Sequence, residues 1–105
     1  MQIYWSEFAF DSLIEIIAWY KIEAGDEVAK AIKKRINKQI SIYNEPPLNP
    51  NSLHNSELLP EYKKLVIRNL PYIAYLHEDS NGDWEIVDIV HTSRKLPKCP
   101  IPCAK

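Results

Sequence analysis

From Tyr72 to His91 the chain alternates in side-chain character with a period of two. Tyr72, Ala74 and Leu76 alternate with Ile73, Tyr75 and His77; after a short polar break, Trp84, Ile86, Asp88 and Val90 alternate with Glu85, Val87, Ile89 and His91. β-branched and aromatic residues spaced this way around Asn81-Gly82 predict a β-hairpin. The second run ends on His91 and is followed by Arg94, polar groups brought to one end of a buried strand.

Upstream the period changes. Ile3 to Trp5 is too short for a helix and reads as a strand, and Ser6 is placed to cap the helix that follows, with Glu7 near its positive end. Ala9, Leu13, Ile16, Ile17 and Tyr20 recur at spacings of three and four, which marks one buried helical face. Gly25 can end this helix in a left-handed conformation and Asp26 can cap the next. The second helix is predicted from Glu27 to Tyr43, with Val28, Ile32, Ile36, Ile40 and Tyr43 as its apolar stripe. Lys30, Lys33, Lys34, Arg35 and Lys38 cover much of the rest, either as a solvated surface or as a docking face for an acidic partner.

Glu45-Pro46-Pro47 stops the second helix, because proline lacks the donor and clashes with the preceding turn. Residues 44–61 then read as a long connecting loop, with His54 on the surface. Residues 62–68 form a further strand candidate, with Lys64, Val66 and Arg68 on one face and Lys63, Leu65 and Ile67 on the other. The order is strand, helix, helix, strand, strand, strand: an α+β domain with two N-terminal helices packed on a small, mostly antiparallel twisted sheet. The first strand is expected to pair with the middle of the later meander.

Length and composition fit this picture. The chain has 105 residues, 46% hydrophobic and 26% charged, enough for one compact domain, assigned to residues 1–97, with a proline- and cysteine-bearing tail over 98–105. No apolar run approaches the roughly 18 residues of a membrane span. Glu7 and Asp11 interrupt what a signal peptide would need, so a cytoplasmic protein is expected. Cys99 and Cys103 with His91 fall short of the four ligands of a structural zinc site. No metal and no cofactor is expected.

The formal net charge of −1 argues against broad electrostatic binding of nucleic acid. The distribution is uneven, however. Residues 27–45 carry +3 and 91–105 carry +4, against −4 for 1–26 and −5 for 77–90, so a local anion site is open to the chain.

With glycine only at 25 and 82, there is no phosphate loop and no dinucleotide fingerprint. The chemistry that remains is a polar set near the sheet: Lys64, Arg68, His91, Arg94 and Lys95, with Tyr72 or Tyr75. A His or Tyr there could move a proton while Arg or Lys stabilises charge on a phosphate. Each member also has a purely structural reading. His91 can be a satisfied histidine at a strand end, Arg94 can tie that end to a carboxylate, and one of the two tyrosines should be packing. Asp88 is expected on the solvated face or paired with Arg68, and Glu78, Asp79, Asp83 and Glu85 as a solvated hairpin end.

Three segments together resemble a known family: the opening IYWSEFAFDSLIEIIAWY with its Trp5-Ser6-Glu7-Phe8-Ala9 phrase, the stretch KKLVIRNLPYIAYL, and WEIVDIVHTSR, an apolar strand followed by His, two residues and Arg. In that order they look like a toxin of the RelE/ParE superfamily from bacterial type II toxin–antitoxin modules, over about residues 2–97. The resemblance implies two helices on a small antiparallel sheet and a cognate antitoxin that neutralises the chain. It leaves two targets, translated mRNA on the ribosome or DNA gyrase, with a toxin-fold protein that has lost activity as the alternative. For an mRNA-cleaving member it implies that Arg94 contacts the scissile phosphate, Lys64 and Arg68 face the RNA, and His91 transfers the proton. The chain departs from several such nucleases in its tail, CPIPCAK, which lacks their C-terminal helix or catalytic Tyr, and in its acidic balance.

Overall fold

The computed structural model describes residues 2–44, 53–55 and 61–92. They form β1 (Ile3–Trp5), α1 (Glu7–Ala24), α2 (Asp26–Ser41) with a 3-10 turn at Ile42–Asn44, β2 (His54–Asn55), β3 (Lys63–Ile67), β4 (Tyr72–Glu78) and β5 (Trp84–His91). The strands make one sheet in the order β1-β5-β4-β3-β2, antiparallel throughout except for the β1–β5 pair. This is the expected β-α-α-β-β-β arrangement with one short strand added.

Ser6 caps α1 as its position suggests, its extended backbone placing Oγ 3.0 Å from the Ala9 N–H it accepts. Loss of such a cap costs about 1 kcal/mol. Ala9 and Leu13 are buried, and Ile16, Ile17 and Tyr20 pack half-buried against the core. Gly25 has φ 95 and ψ 167, a region open essentially to glycine alone. Its N–H donates to Lys21 O and its carbonyl accepts from Ala29 N–H, so this single residue both ends α1 and starts α2. Asp26 therefore lies inside the first turn of α2 instead of capping it, where it forms an exposed 3.6 Å ion pair with Lys21.

On α2 the buried stripe is Ala29, Ile32, Ile36 and Ile40. Val28 was expected in it but is 41% exposed, because it sits one residue, about 100°, round the helix from Ala29. The α-helix ends at Ser41, two residues short of the sequence expectation, and Tyr43 reaches the core from the 3-10 turn.

β1 does not join the middle of the meander. β4 has β3 on one edge and β5 on the other, so the free edge available to Ile3–Trp5 is that of β5, with Ile3 opposite Trp84 and Trp5 opposite Ile86. The 44–61 connection is not structureless either: Leu53 is buried, and His54 and Asn55 pair with Lys64 and Lys63. Two residues are too few to show a period. His54 itself is exposed, as expected.

The β4–β5 turn departs from a two-residue Asn-Gly loop. Gly82 N–H donates to Asp79 O, which places Ser80 and Asn81 at the centre of the turn, and Gly82 follows with φ 84. A turn followed by a positive-φ glycine is the next commonest hairpin closure.

Leu76 pairs with Ile86 while Tyr75 pairs with Asp88, so Val87 is an extra residue in β5. Such a bulge shifts the alternation by one position. Trp84, Ile86 and Ile89 all join the core beneath the helices, with Leu65, Ile67, Tyr72, Ala74 and Leu76. Val87 and Val90 pack with Tyr62 and Tyr75 on the opposite face. The uninterrupted alternation read from the sequence thus fails beyond Val87. Ile36, Ile67, Leu76 and Ile86 are among the most deeply buried side chains, each contributing about 1.5–3 kcal/mol of burial.

Candidate functional site

His91 stands where the bulge puts it, on the helix side of the sheet. It pairs in register with Tyr72, and their rings meet edge to face at 5.7 Å. Together with Ser12, Glu15 and Ile16 of α1 and with Ile89 and Val90 they line a cavity of about 170 Å3. Tyr72 is pushed up to about 12, first by burial and then by a hydrogen bond to the Tyr20 side chain, so it stays a neutral phenol at physiological pH. Below this pocket Asp88 is fully buried, with Oδ1 accepting from the Ser12 hydroxyl at 2.8 Å and from Ile89 N–H at 2.9 Å. Asp88 is therefore neither solvated nor paired with Arg68; it fastens β5 to α1.

The other residues expected to share a site with His91 lie elsewhere. Lys64 pairs with Tyr75 and His54, on the face of the sheet turned away from the helices. Its neighbours Tyr62 and Tyr75 are buried there and held above their ordinary pKa by desolvation. Arg68 lies in the turn after β3, where its backbone is clamped by Gln39: the Arg68 N–H donates to Gln39 Oε1 at 2.6 Å, and Gln39 Nε2 donates to Arg68 O at 3.1 Å. Its side chain is exposed and borders a cavity of about 240 Å3 between α2 and β3, beside Lys38 and Tyr43. Of the tyrosines, Tyr72 and Tyr75 fall on opposite faces, as expected. Arg94, Lys95, Cys99 and Cys103 lie outside the described residues.

The expected solvated acidic end is in part a built structure. Asp79 Oδ1 accepts from Asn81 and Asp83 N–H, and Oδ2 accepts from the Tyr4 hydroxyl at 2.8 Å. The Tyr4 bond, ahead of the backbone bonds, holds the Asp79 carboxyl below its usual range. Tyr4 in turn is pushed up to about 12, chiefly by the same bond. Glu85 is buried at 9% exposure, and desolvation raises it while neighbouring His77 works the other way.

α1 is apolar on more than its core face. Phe10, Ile14, Trp19 and Ile22 are 46 to 81% exposed, large apolar side chains that face solvent on this helix.

Comparison with known proteins decides the family. The model of the ParE toxin of the type II toxin–antitoxin system parDE matches residues 3–96. The chain belongs to the ParE toxin family. A solved chain from the chromosomal ParDE TA system from P. aeruginosa has the same fold, with TM-score 0.74 at 20% identity over 87% of this chain and 95% of that one. No curated protein matches the sequence. As a ParE-family toxin the chain is one half of a module whose other half is an antitoxin. No helix among the described residues is long and apolar enough to cross a membrane.

The contact between Ser12 and Asp88 was missed in reading the sequence of this ParE-family chain. Its signal was present: each is a polar residue set in an apolar stripe, one on α1 and one on β5. Buried polar groups demand partners, so two such interruptions are natural candidates for each other.

Proposed function

We propose that this ParE-family toxin arrests growth by binding DNA gyrase, with no nuclease chemistry of its own. The observation that carries the reading is the division of its candidate residues between the two faces of the sheet. Lys64 lies on the outer face, and His91, exposed at the strand end, lies on the helix side next to α1. A phosphodiester cleavage site needs its proton-transfer group and its cations within hydrogen-bond reach of one phosphate. A sheet stands between these two. On this reading Lys64 and Arg68 are surface charges, and His91 is a wall of the small cavity beside Tyr72.

Family membership supports both the growth arrest and the antitoxin that relieves it. The exposed Phe10, Ile14, Trp19 and Ile22 of α1 suit such a protein partner, since an amphipathic segment docks through apolar anchors at helical spacing. The deciding experiment is a supercoiling assay with purified gyrase and stoichiometric toxin, run beside primer-extension mapping of transcripts in arrested cells. Inhibited supercoiling with intact transcripts is expected. Cleaved transcripts with unaffected supercoiling would overturn the proposal and restore Lys64, Arg68, His91 and Arg94 as nuclease candidates.

A further inference from the structure

Four lysines of α2 border one open groove. Lys30, Lys33, Lys34 and Lys38, with Asn37 and Ser41, line a shallow trough that is largely open to solvent, and all six are exposed. Residues four apart on a helix lie about 6 Å farther along it and on nearly the same face. Lys30, Lys34 and Lys38 therefore form one row of ammonium groups, and Lys33, Asn37 and Ser41 a second row beside it. The only ion pair among the described residues is Lys21–Asp26, so these lysines have no carboxylate partner there. The acids of α2, Asp26 and Glu27, are confined to its first turn, and the others are concentrated on α1 and around the β4–β5 turn.

We infer that this groove binds the phosphate backbone of a nucleic acid. The step of about 6 Å between successive lysines of a row matches the order of spacing between successive phosphates of one strand. Lysine offers each phosphate a point charge with three donors, and Asn37 and Ser41 add neutral donors. An acidic protein segment would also answer the charge, but protein interfaces are built around an apolar or aromatic centre and are depleted in lysine. This groove has neither Leu, Ile, Val nor an aromatic ring among its described lining. With no ring to stack a base and the lysines spent on phosphates, the contact should be independent of sequence. The acidic remainder of the chain confines it to a few phosphates. The inference stands on α2 alone and is independent of the gyrase reading.

Fluorescence anisotropy of the purified full-length protein with a labelled DNA duplex of about 20 base pairs tests it at about 50 mM salt. Binding should be indifferent to base sequence, and log affinity should fall against log salt with a slope of about −3, the release expected for three or four neutralised phosphates. The triple variant Lys30→Ala/Lys34→Ala/Lys38→Ala should bind at least about tenfold more weakly and with a flatter salt slope. Lys21→Ala, on α1, should bind unchanged, and the charge-conserving triple arginine variant should retain affinity; circular dichroism confirms folding in each case. Absence of duplex binding, or full binding by the alanine variant, overturns the inference. So does displacement of the duplex by oligoglutamate at equal charge concentration, which would mark the groove as a site for acidic protein.

Discussion

Ser12 and Asp88 meet in the interior of the domain, the serine hydroxyl donating to the carboxylate at 2.8 Å across 76 positions of sequence. This bond joins the first helix to the last strand and sets how α1 lies over the cavity that holds His91.

Removing the donor should show its worth. Hydrogen bonds to a charged group contribute about 1.5–3 kcal/mol, and a buried acceptor that loses its donor keeps its desolvation cost. Ser12→Ala is therefore expected to lower unfolding stability by about 1.5–3 kcal/mol in urea titrations. A loss within error of zero would show that other contacts of Asp88 carry the attachment.

Gly25 separates backbone strain from crowding. A Cβ at this position would meet nothing within 4 Å, yet φ is 95 and ψ 167. Holding a side-chain-bearing residue in so sparsely populated a region costs about 1–3 kcal/mol. Gly25→Ala should lower stability by that amount although no contact is disturbed. Retained stability with an unchanged structure would place the two helices under less conformational constraint than their shared residue implies.

The Tyr4–Asp79 bond should be visible at both ends of the pH scale. Asp79 is held low, so its contribution is present above the ordinary aspartate pKa and lost as pH falls through the depressed value. Tyr4 is held high, so its contribution is complete below its ordinary value of 10.0 and is lost as pH rises toward about 12. In Tyr4→Phe, the Asp79 side-chain carbon should titrate at higher pH by NMR. The ultraviolet titration should lose one of the late-ionising phenols, leaving Tyr72 as another. An unmoved Asp79 titration would count against the bond.

Glu85 carries the opposite sign from Asp79. Burial raises its pKa, so the folded state prefers the protonated form; that stability is full below the ordinary 4.5 and declines as pH rises through the elevated value. Glu85→Gln imitates the protonated form. It should melt at a higher temperature than the parent near neutrality, with the gap closing below about pH 4. A variant less stable at neutral pH would mean that attraction to His77 outweighs the desolvation of the carboxylate.

Long, regular signals carried the sequence reading furthest. The Ser6 cap, the α1 stripe from Ala9 to Tyr20, the lysine-covered surface of α2 and the split of Lys63, Leu65 and Ile67 from Lys64 and Val66 all rest on local chemistry repeated over several residues. What escaped it depends on partners distant in sequence. The run from Trp84 to His91 has apolar residues on both faces, so nothing local marks Val87 as the extra residue; only the register against Leu76 and Tyr75 does. The strand at His54–Asn55 exists because Lys63 and Lys64 offer it an edge. The candidate site fared worse for the same reason. Lys64 and His91 share a neighbourhood on paper, but the bulge turns them to opposite faces.

The one extra valine in β5 has a reach out of proportion to its size. Because a strand's side chains alternate, a regular strand that kept Val87 within the ladder would carry everything beyond it to the other side, whereas deleting Val87 would leave His91 opposite Tyr72. In that regular strand His91 would leave the side of Tyr72 for the outer face, the face that carries Lys64. The same run of letters from Trp84 to His91 can thus present its final histidine on either face, according to whether the bulge forms. Aligned motifs in this fold should therefore be compared by strand frame before they are compared by letter.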